Sequence, residues 1–305
     1  MRVFLTGASG YVGSYILRTL LDRGHTPRCL VRGSAADLAV TDSTIEPVEG
    51  DVTDPSSLAG ALDGCDAVIH LVGIIEEHPA QGVTFDRLHV DGTRHVVAAA
   101  QKAGISRFVH MSANGARPDG GTAYQRTKWE AEQIVKDAGF AHWTIFRPAL
   151  LFGKPAPGQP EFSSRLLREL VRPFPVLPVF GDGTYELQPV HATDVADAFV
   201  QALTLDAAHE QTYVAAGPER LPYVEVLDRI ARGAGLEPKA KVHVPLALAR
   251  LGVATAGRLG LLPISPAQFE MLVEGNTGDE SAFLQDFALS PRRYTVSNLR
   301  YLESM

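Results

Sequence analysis

Three groups of residues have types and spacings that chemistry could use. The first is Thr6-Gly7-Ala8-Ser9-Gly10-Tyr11-Val12-Gly13, directly after the apolar run Val3-Phe4-Leu5. A diphosphate needs backbone N–H groups at a helix N-terminus with no side chain in the way. Gly7 permits the tight turn, Gly10 the close approach of phosphate, and Gly13 the packing of helix on strand. A glycine triplet alone is weak evidence, but its place between a first strand and a first helix gives it weight. Ser9, Tyr11 and Val12 share the loop and the expected dinucleotide contact.

The second group follows the next strand. Leu30-Val31 leads to Arg32, where an NAD-selective site usually carries Asp or Glu. A guanidinium there suits a ribose 2′-phosphate by bidentate pairing, so NADP(H) is favoured and NAD(H) stays open. The bland reading makes Arg32 a solvated turn residue. Arg28 is nearby but starts the strand. Asp51, in Gly50-Asp51-Val52, could accept from an adenine amino group; alternatively Asp51 or Thr53 caps the helix that follows.

The third group is Tyr124-Gln125-Arg126-Thr127-Lys128. An i, i+4 spacing on a helix puts both ends on one face. A phenol is a poor acid near neutral pH, and a nearby ammonium lowers its pKa. Tyr124 could then exchange a proton with a carbonyl or alcohol while a nicotinamide exchanges a hydride, and Lys128 could hold the nicotinamide ribose. A Tyr and Lys four apart are common at surfaces. Position matters more: a helix after the fifth strand starts at the sheet's carboxyl edge, where ligands bind in open α/β sheets.

Such a sheet is what the first half of the chain predicts. Apolar runs at Val3–Leu5, Arg28–Val31, Pro47–Gly50, Ala67–Leu71, Arg107–Met111 and Trp143–Phe146 read as strands. Helical patterns at Gly13–Arg23, Ser56–Leu62, Phe85–Ala103 and Ala123–Ala138 separate them. Continuous apolar strands alternating with helices imply an α/β, doubly wound parallel sheet. After Pro148 prolines and glycines break the pattern, with one helix near Ser163–Leu170. A strand-and-helix unit returns at Leu187–Leu203, where Thr193 or Asp194 could be the cap. Helices at Tyr223–Gly233 and Pro266–Glu274 and a strand at Lys241–Val244 complete the chain. The expected division is a dinucleotide-binding domain over 1–152, joined again by 187–205, and a smaller α/β substrate lobe over 153–186 and 206–305.

Composition excludes several classes. The 305 residues are 45% hydrophobic and 21% charged, which is ordinary globular chemistry. With 28 Lys+Arg against 35 Asp+Glu, the net charge of −7 argues against nucleic-acid binding. Cys29 and Cys65 give neither a disulfide framework nor a four-ligand zinc site, which suits a reducing cytoplasm. The ten histidines form no close cluster, so no metal site is expected. No opening apolar run fits a signal peptide, and no stretch of about 18 apolar residues would span a membrane. The nearest approach, Val242–Leu262, is interrupted by Arg250 and Arg258. It reads as core helices, with peripheral contact with a membrane surface as the sharper alternative.

These motifs together resemble an extended or atypical short-chain dehydrogenase/reductase of the NAD-dependent epimerase/dehydratase type. The Gly7–Gly13 loop, Gly50-Asp51-Val52, Val90-Asp91-Gly92-Thr93, Arg107–Ser112, Tyr124 with Lys128, Arg147-Pro148 and the run from Gln188 to Ala196 carry the likeness over nearly the whole chain. It implies further cofactor contacts at Val52, Leu71, Val72, Gly73 and Pro148. Two positions depart from the pattern. Ala113 stands where the family usually has a catalytic Ser or Thr, and His89 where it usually has Asn. Ser112 could replace the missing hydroxyl only if the backbone shifts. These variants are similar to an atypical branch that includes the nucleotide-binding accessory subunit of respiratory complex I and its bacterial relatives. That branch implies tight NADP(H) binding with slow turnover or none.

The leading expectation is therefore an NADP(H)-dependent oxidoreductase on a small carbonyl or alcohol. The alternatives are a nucleotide-binding sensor or complex-stabilising protein, and a nucleotide-sugar epimerase or dehydratase. Asp182, in Phe180-Gly181-Asp182-Gly183-Thr184, reads as turn chemistry. His70, His110 and His191 read as packed or simply hydrogen-bonded strand residues. Ser9 and Ser14 lack the elbow of a hydrolase nucleophile.

Overall fold

The apolar runs of the first half become one parallel sheet in the computed structural model, which describes residues 1–257 and 264–305. Its strands are β1 (Arg2–Thr6), β2 (Thr26–Val31), β3 (Glu46–Glu49), β4 (Ala67–His70), β5 (Arg107–Met111), β6 (His142–Pro148) and β7 (Gln211–Ala215), in the order β7-β6-β5-β4-β1-β2-β3. Every pairing is parallel. Val3 to Thr6 and all of β4 are buried, as strands covered on both faces require. The edge strand β3 instead alternates partly buried Glu46 and Val48 with exposed Pro47 and Glu49, which suits an edge.

Helices α1 (Tyr11–Asp22), α2 (Gly92–Lys102), α3 (Ala123–Lys136) and α4 (Ala192–Gln201) are the main helices of this part of the chain. The expected helix over Ser56–Leu62 is only a 3₁₀ turn, Pro55–Leu58, and its cap is Asp54, not Asp51 or Thr53. The expected helix from Phe85 is π-helical over Asp86–Asp91 before it becomes α2. Helix α4 already begins at Ala192, so Thr193 and Asp194 lie inside its first turn rather than at its cap.

The chain divides into two compact units. The first holds Met1–Pro148, Ala192–Ala215 and Ser281–Leu289. The expected return over 187–205 thus misses β7 and the short helix Ser281–Asp286. Both join this unit because Phe146 gathers an aromatic group of Phe199, Tyr213, Phe283 and Phe287 around β6. The second unit holds Ala149–His191, Ala216–Glu280 and Ser290–Met305. Its core includes Phe152, Leu177, Leu227, Ile230 and Tyr294, packed around the helix Tyr223–Gly233. Asp182 makes the expected turn there, its Oδ1 accepting from Thr184 N and Oγ1. His191 packs edge-on to Phe152.

The apolar stretch from Val242 resolves into the strand Lys241–Val244 and a short helix, Leu246–Gly252. That helix buries Ala249 but exposes Leu248 and Leu251, so it is only partly the core helix expected. Arg258 to Leu262 lie outside the described residues. No described helix is long and apolar enough to cross a membrane.

Gly13 shows what the loop demands. A Cβ there would sit 2.1 Å from Gly7 O and 2.9 Å from Ala8 Cα, both backbone. Alanine normally favours a helix by about 1 kcal/mol over glycine. Gly13→Ala should reverse that sign and destabilise by about 1–3 kcal/mol. A urea midpoint equal to or above the wild type's would contradict this packing.

Candidate active site at the carboxyl edge of the sheet

The strand order reverses between β1 and β4, so their carboxyl ends open a crevice between diverging connections. Gly7, with φ +76°, turns the chain out of β1 into α1. A Cβ on it would lie 3.2 Å from Leu71 Cβ, at the exit of β4. Gly10 is the N-cap of α1 and brings no capping side chain. Ser9 and Gly10 are exposed, while Val12 and Gly13 are buried against the sheet. An exposed, side-chain-poor helix N-terminus is what a diphosphate fits. Ser14 Oγ donates to Tyr11 O at 2.7 Å, and Tyr11 meets Tyr15 edge-on.

Arg32 is exposed just past β2 and makes no hydrogen bond or ion pair with another described residue. Arg28, by contrast, is consumed by the fold, bonding Ala61 O and Glu46. Asp51 Oδ1 accepts from both Thr53 N (2.8 Å) and Thr53 Oγ1 (2.9 Å). Val52 is buried, and a Cβ on Gly92 of α2 would press its Cγ2 at 3.0 Å.

Helix α3 begins with a capping box. Thr122 Oγ1 accepts from Gln125 N, and Gln125 Oε1 accepts from Thr122 N. That cap puts Tyr124 in the first turn and Lys128 one turn on. The phenol ring meets Phe85 and His89 edge-on at 5.7 and 5.5 Å. Lys128 is 3% exposed, and its Nζ donates to Met111 O at 2.6 Å. Burial draws its ammonium down to about 8, against the opposing pull of Glu132. Here the structure corrects the sequence reading. Burial pushes the Tyr124 phenol up to about 12, and the ammonium expected to lower it is committed to Met111.

Ser112 has a buried acidic partner. Its Oγ donates to Glu132 Oε1 at 2.5 Å. The backbone shift that would re-aim it is blocked, since Ser112 N donates to Phe146 O and Asn114 N to Pro148 O. These two bonds extend the ladder past β5 and leave Ala113 as the residue between them. Glu132 is wholly buried and takes a two-pronged pair from Arg147, at 2.7 and 2.6 Å. Sequence reading named Arg147 but missed Glu132. The signal was the continued spacing of four from Tyr124 through Lys128 to Glu132.

Beneath Lys128 lie three buried imidazoles. His70 Nδ1 is 2.7 Å from Thr6 Oγ1, and its Nε2 is 3.1 Å from Thr93 Oγ1. His110 stacks on His70 at 5.4 Å, and neither of its nitrogens has a hydrogen-bond partner among the described residues. His89 Nε2 accepts from Ile74 N at 3.1 Å, and its Nδ1 is 3.0 Å from Thr127 Oγ1. Burial, helped by the Lys128 charge, pulls His70 down to about 3, His89 to about 2 and His110 well below its usual range. Among the described residues no group of His, Cys, Asp or Glu could hold a metal.

Known proteins resemble this chain in sequence and in fold. A model of the NAD dependent epimerase/dehydratase family matches residues 3–216. The 40 kDa subunit of NADH-ubiquinone oxidoreductase from Neurospora crassa is 27% identical over 98% of this chain and 78% of its own. A ceramide reductase from Caulobacter vibrioides is 33% identical over 65% of this chain, which spans 59% of that relative. The UDP-glucuronic acid 4-epimerase of Bacillus cereus, solved with UDP-glucuronic acid and NAD, superposes with a TM-score of 0.76 at 17% identity, over 100% of this chain and 98% of its own. At that identity the likeness speaks for the fold.

The imidazoles set a pH dependence. Each is held neutral when folded but titrates near 6.5 when unfolded, so acid favours the unfolded state. Their contribution is intact above about pH 7 and is lost as pH falls through 6.5 toward the folded values. Between pH 7.5 and 5.5 the three should remove about 4 kcal/mol of stability. His110→Phe should abolish about a third of that loss and raise stability at both pH values, because it removes an unpaired buried imidazole. Urea denaturation at the two pH values tests this. An unchanged pH dependence in the variant would show that His110 is not held neutral.

Proposed function

The chain belongs to the NAD-dependent epimerase/dehydratase family, and we propose that it is an NADP(H)-binding oxidoreductase acting on a carbonyl or alcohol. One observation carries the reading: the glycine turn and the Tyr124/Lys128 pair are joined by a single short segment. Gly7 abuts Leu71, and a Cβ on Gly73 would lie 3.7 Å from Lys128 Nζ. A dinucleotide running from the turn along Leu71, Val72 and Gly73 reaches the lysine.

In this reading Gly7, Ser9, Gly10, Tyr11, Val12 and Gly13 receive the diphosphate, and Arg32 the 2′-phosphate. Asp51 Oδ1 is taken by Thr53, so an adenine contact falls to Oδ2 and to Val52. Pro148 closes the far side, its carbonyl anchoring Asn114. When bound, the nicotinamide supplies the hydride chemistry. Lys128 holds the neighbouring ribose, and at about 8 it is mostly protonated near neutral pH. Tyr124 exchanges the proton at the substrate oxygen. Cys29 and Cys65 are both free, which suits a reducing compartment.

A second reading has specific support. Ala113 offers no hydroxyl, Ser112 is committed to Glu132, and a phenol near 12 is a weak proton donor. These features favour a protein that binds dinucleotide and turns over slowly, and the fungal complex I subunit matches 98% of the chain.

Tyr124→Phe should lower turnover at least ~100-fold while leaving NADPH affinity within about threefold. Unchanged turnover would remove Tyr124 from the chemistry. A wild type that binds NADPH but reduces nothing in a broad carbonyl panel, and oxidises no alcohol, would establish the second reading. Arg32→Glu should weaken NADPH roughly 30-fold or more and NADH little, as loss of a charged hydrogen-bond partner implies. Equal weakening in calorimetry would show that Arg32 is not the phosphate clamp.

A further inference from the structure

We propose that His89 is a positioning residue that straps the segment after β4 to helix α3 and so sets where Gly73, Lys128 and Tyr124 stand relative to one another. The proposal rests on the dinucleotide-binding reading of this site and extends it.

His89 touches three parts of the site at once. Its Nε2 accepts from Ile74 N, next to Gly73. That bond leaves Nε2 without a proton, so the neutral ring carries its hydrogen on Nδ1. Nδ1–H then donates to Thr127 Oγ1 at 3.0 Å, and Thr127 passes its own hydrogen to Ala123 O at 2.8 Å. The tautomer is thus dictated from both sides. The third contact is with Tyr124, whose ring meets the imidazole edge-on, while Phe85 stacks on the same imidazole at 5.3 Å.

The backbone is shaped for this. His89 lies within the π-helical stretch Asp86–Asp91, and π-bulges cluster at functional sites. A Cβ on Gly73 would lie 3.6 Å from His89 Nε2 and 3.7 Å from Lys128 Nζ, so the strap and the lysine flank the same glycine. A histidine satisfied only for its own burial needs partners of any kind. This one has the loop on one nitrogen and the helix carrying Tyr124 and Lys128 on the other. Side-chain length explains the choice. Asparagine ends at its δ atoms, level with Nδ1, and reaches Thr127 but not Ile74. Glutamine ends at its ε atoms, so its Oε1 can accept from Ile74 N while its Nε2 donates to Thr127 Oγ1.

The test compares wild type, His89→Gln and His89→Phe in the full chain, with Tm confirming that each folds. Two readouts are taken: NADPH affinity by calorimetry and hydrogen exchange of the Ile74 amide. His89→Phe keeps the ring against Phe85 and Tyr124 but removes both hydrogen bonds. It should weaken NADPH ~10-fold or more, as loosened placement in a preorganised site implies, and speed Ile74 exchange. His89→Gln should stay within about threefold on NADPH and keep Ile74 protected. Should His89→Phe not fold, Thr127→Val removes only the hydroxyl; it should weaken NADPH and release the ring from its single tautomer, seen in ¹⁵N histidine spectra. Wild-type NADPH affinity in His89→Phe, or in Thr127→Val where that is used, overturns the proposal alone. A wild type that binds no dinucleotide overturns the functional reading first, and the strap's role with it.

Discussion

Glu132 is a carboxylate with no exposure to solvent, and burying it obliges three elements to meet. An isolated buried charge is prohibitively costly, so its oxygens must be satisfied by a cation and by hydrogen bonds. Arg147 at the end of β6 supplies a bidentate pair, and Ser112 just beyond β5 supplies a hydroxyl. Glu132 itself rides on α3, one turn beyond Lys128. The carboxylate therefore locks the register of α3 against the ends of two central strands. Removing one partner from such a buried pair typically costs about 3–5 kcal/mol. Tyr124 and Lys128 inherit their placement from that lock, since they share its helix.

The same lock settles the electrostatics of the site. Lys128 has lost most of its contact with water, and its Nζ is held by a carbonyl, a dipole rather than a charge. Burial pulls its proton affinity down, and the carboxylate one turn away pulls it back up. The histidines below it face the opposite pressure. Charging any of His70, His89 or His110 would place a second cation near Lys128 in a dry interior, which burial alone already forbids. The site keeps one titratable cation and a bed of neutral rings.

Much of the fold was legible in the sequence because its signals are local. The glycine turn, the six early strands and the start of α3 at Thr122-Ala123 each follow from a few adjacent residues. β7 was not legible: Gln211–Ala215 pairs with β6 while Tyr213 packs on Phe146 and Phe287, contacts far apart in sequence. The 3₁₀ turn at Pro55 was also misjudged, since an apolar count does not reveal that Asp54 already caps a single turn. At the site, the placement of Tyr124 and Lys128 one turn apart on α3, and the turn of the loop glycines into α1, were readable from spacing. The bond from Ser112 to Glu132 was not, because it depends on how the backbone of residues 112 and 114 is held to β6, and no local pattern encodes that.

The two departures from the family pattern then have different physical weight. Ala113 is a subtraction: it carries no hydroxyl, and that of the neighbouring Ser112 is spent on a buried carboxylate. Burial around the Tyr124 phenol favours its neutral form. His89 is a substitution with its own partners, and both of its nitrogens are used. An aliphatic side chain would fill the space without a polar group to satisfy, so the buried imidazole depends on those two hydrogen bonds to offset its desolvation. The geometry thus spends buried hydrogen bonds on fixing the segment after β4 to α3, while the Ser112 hydroxyl is spent on the carboxylate that locks α3 to the strands.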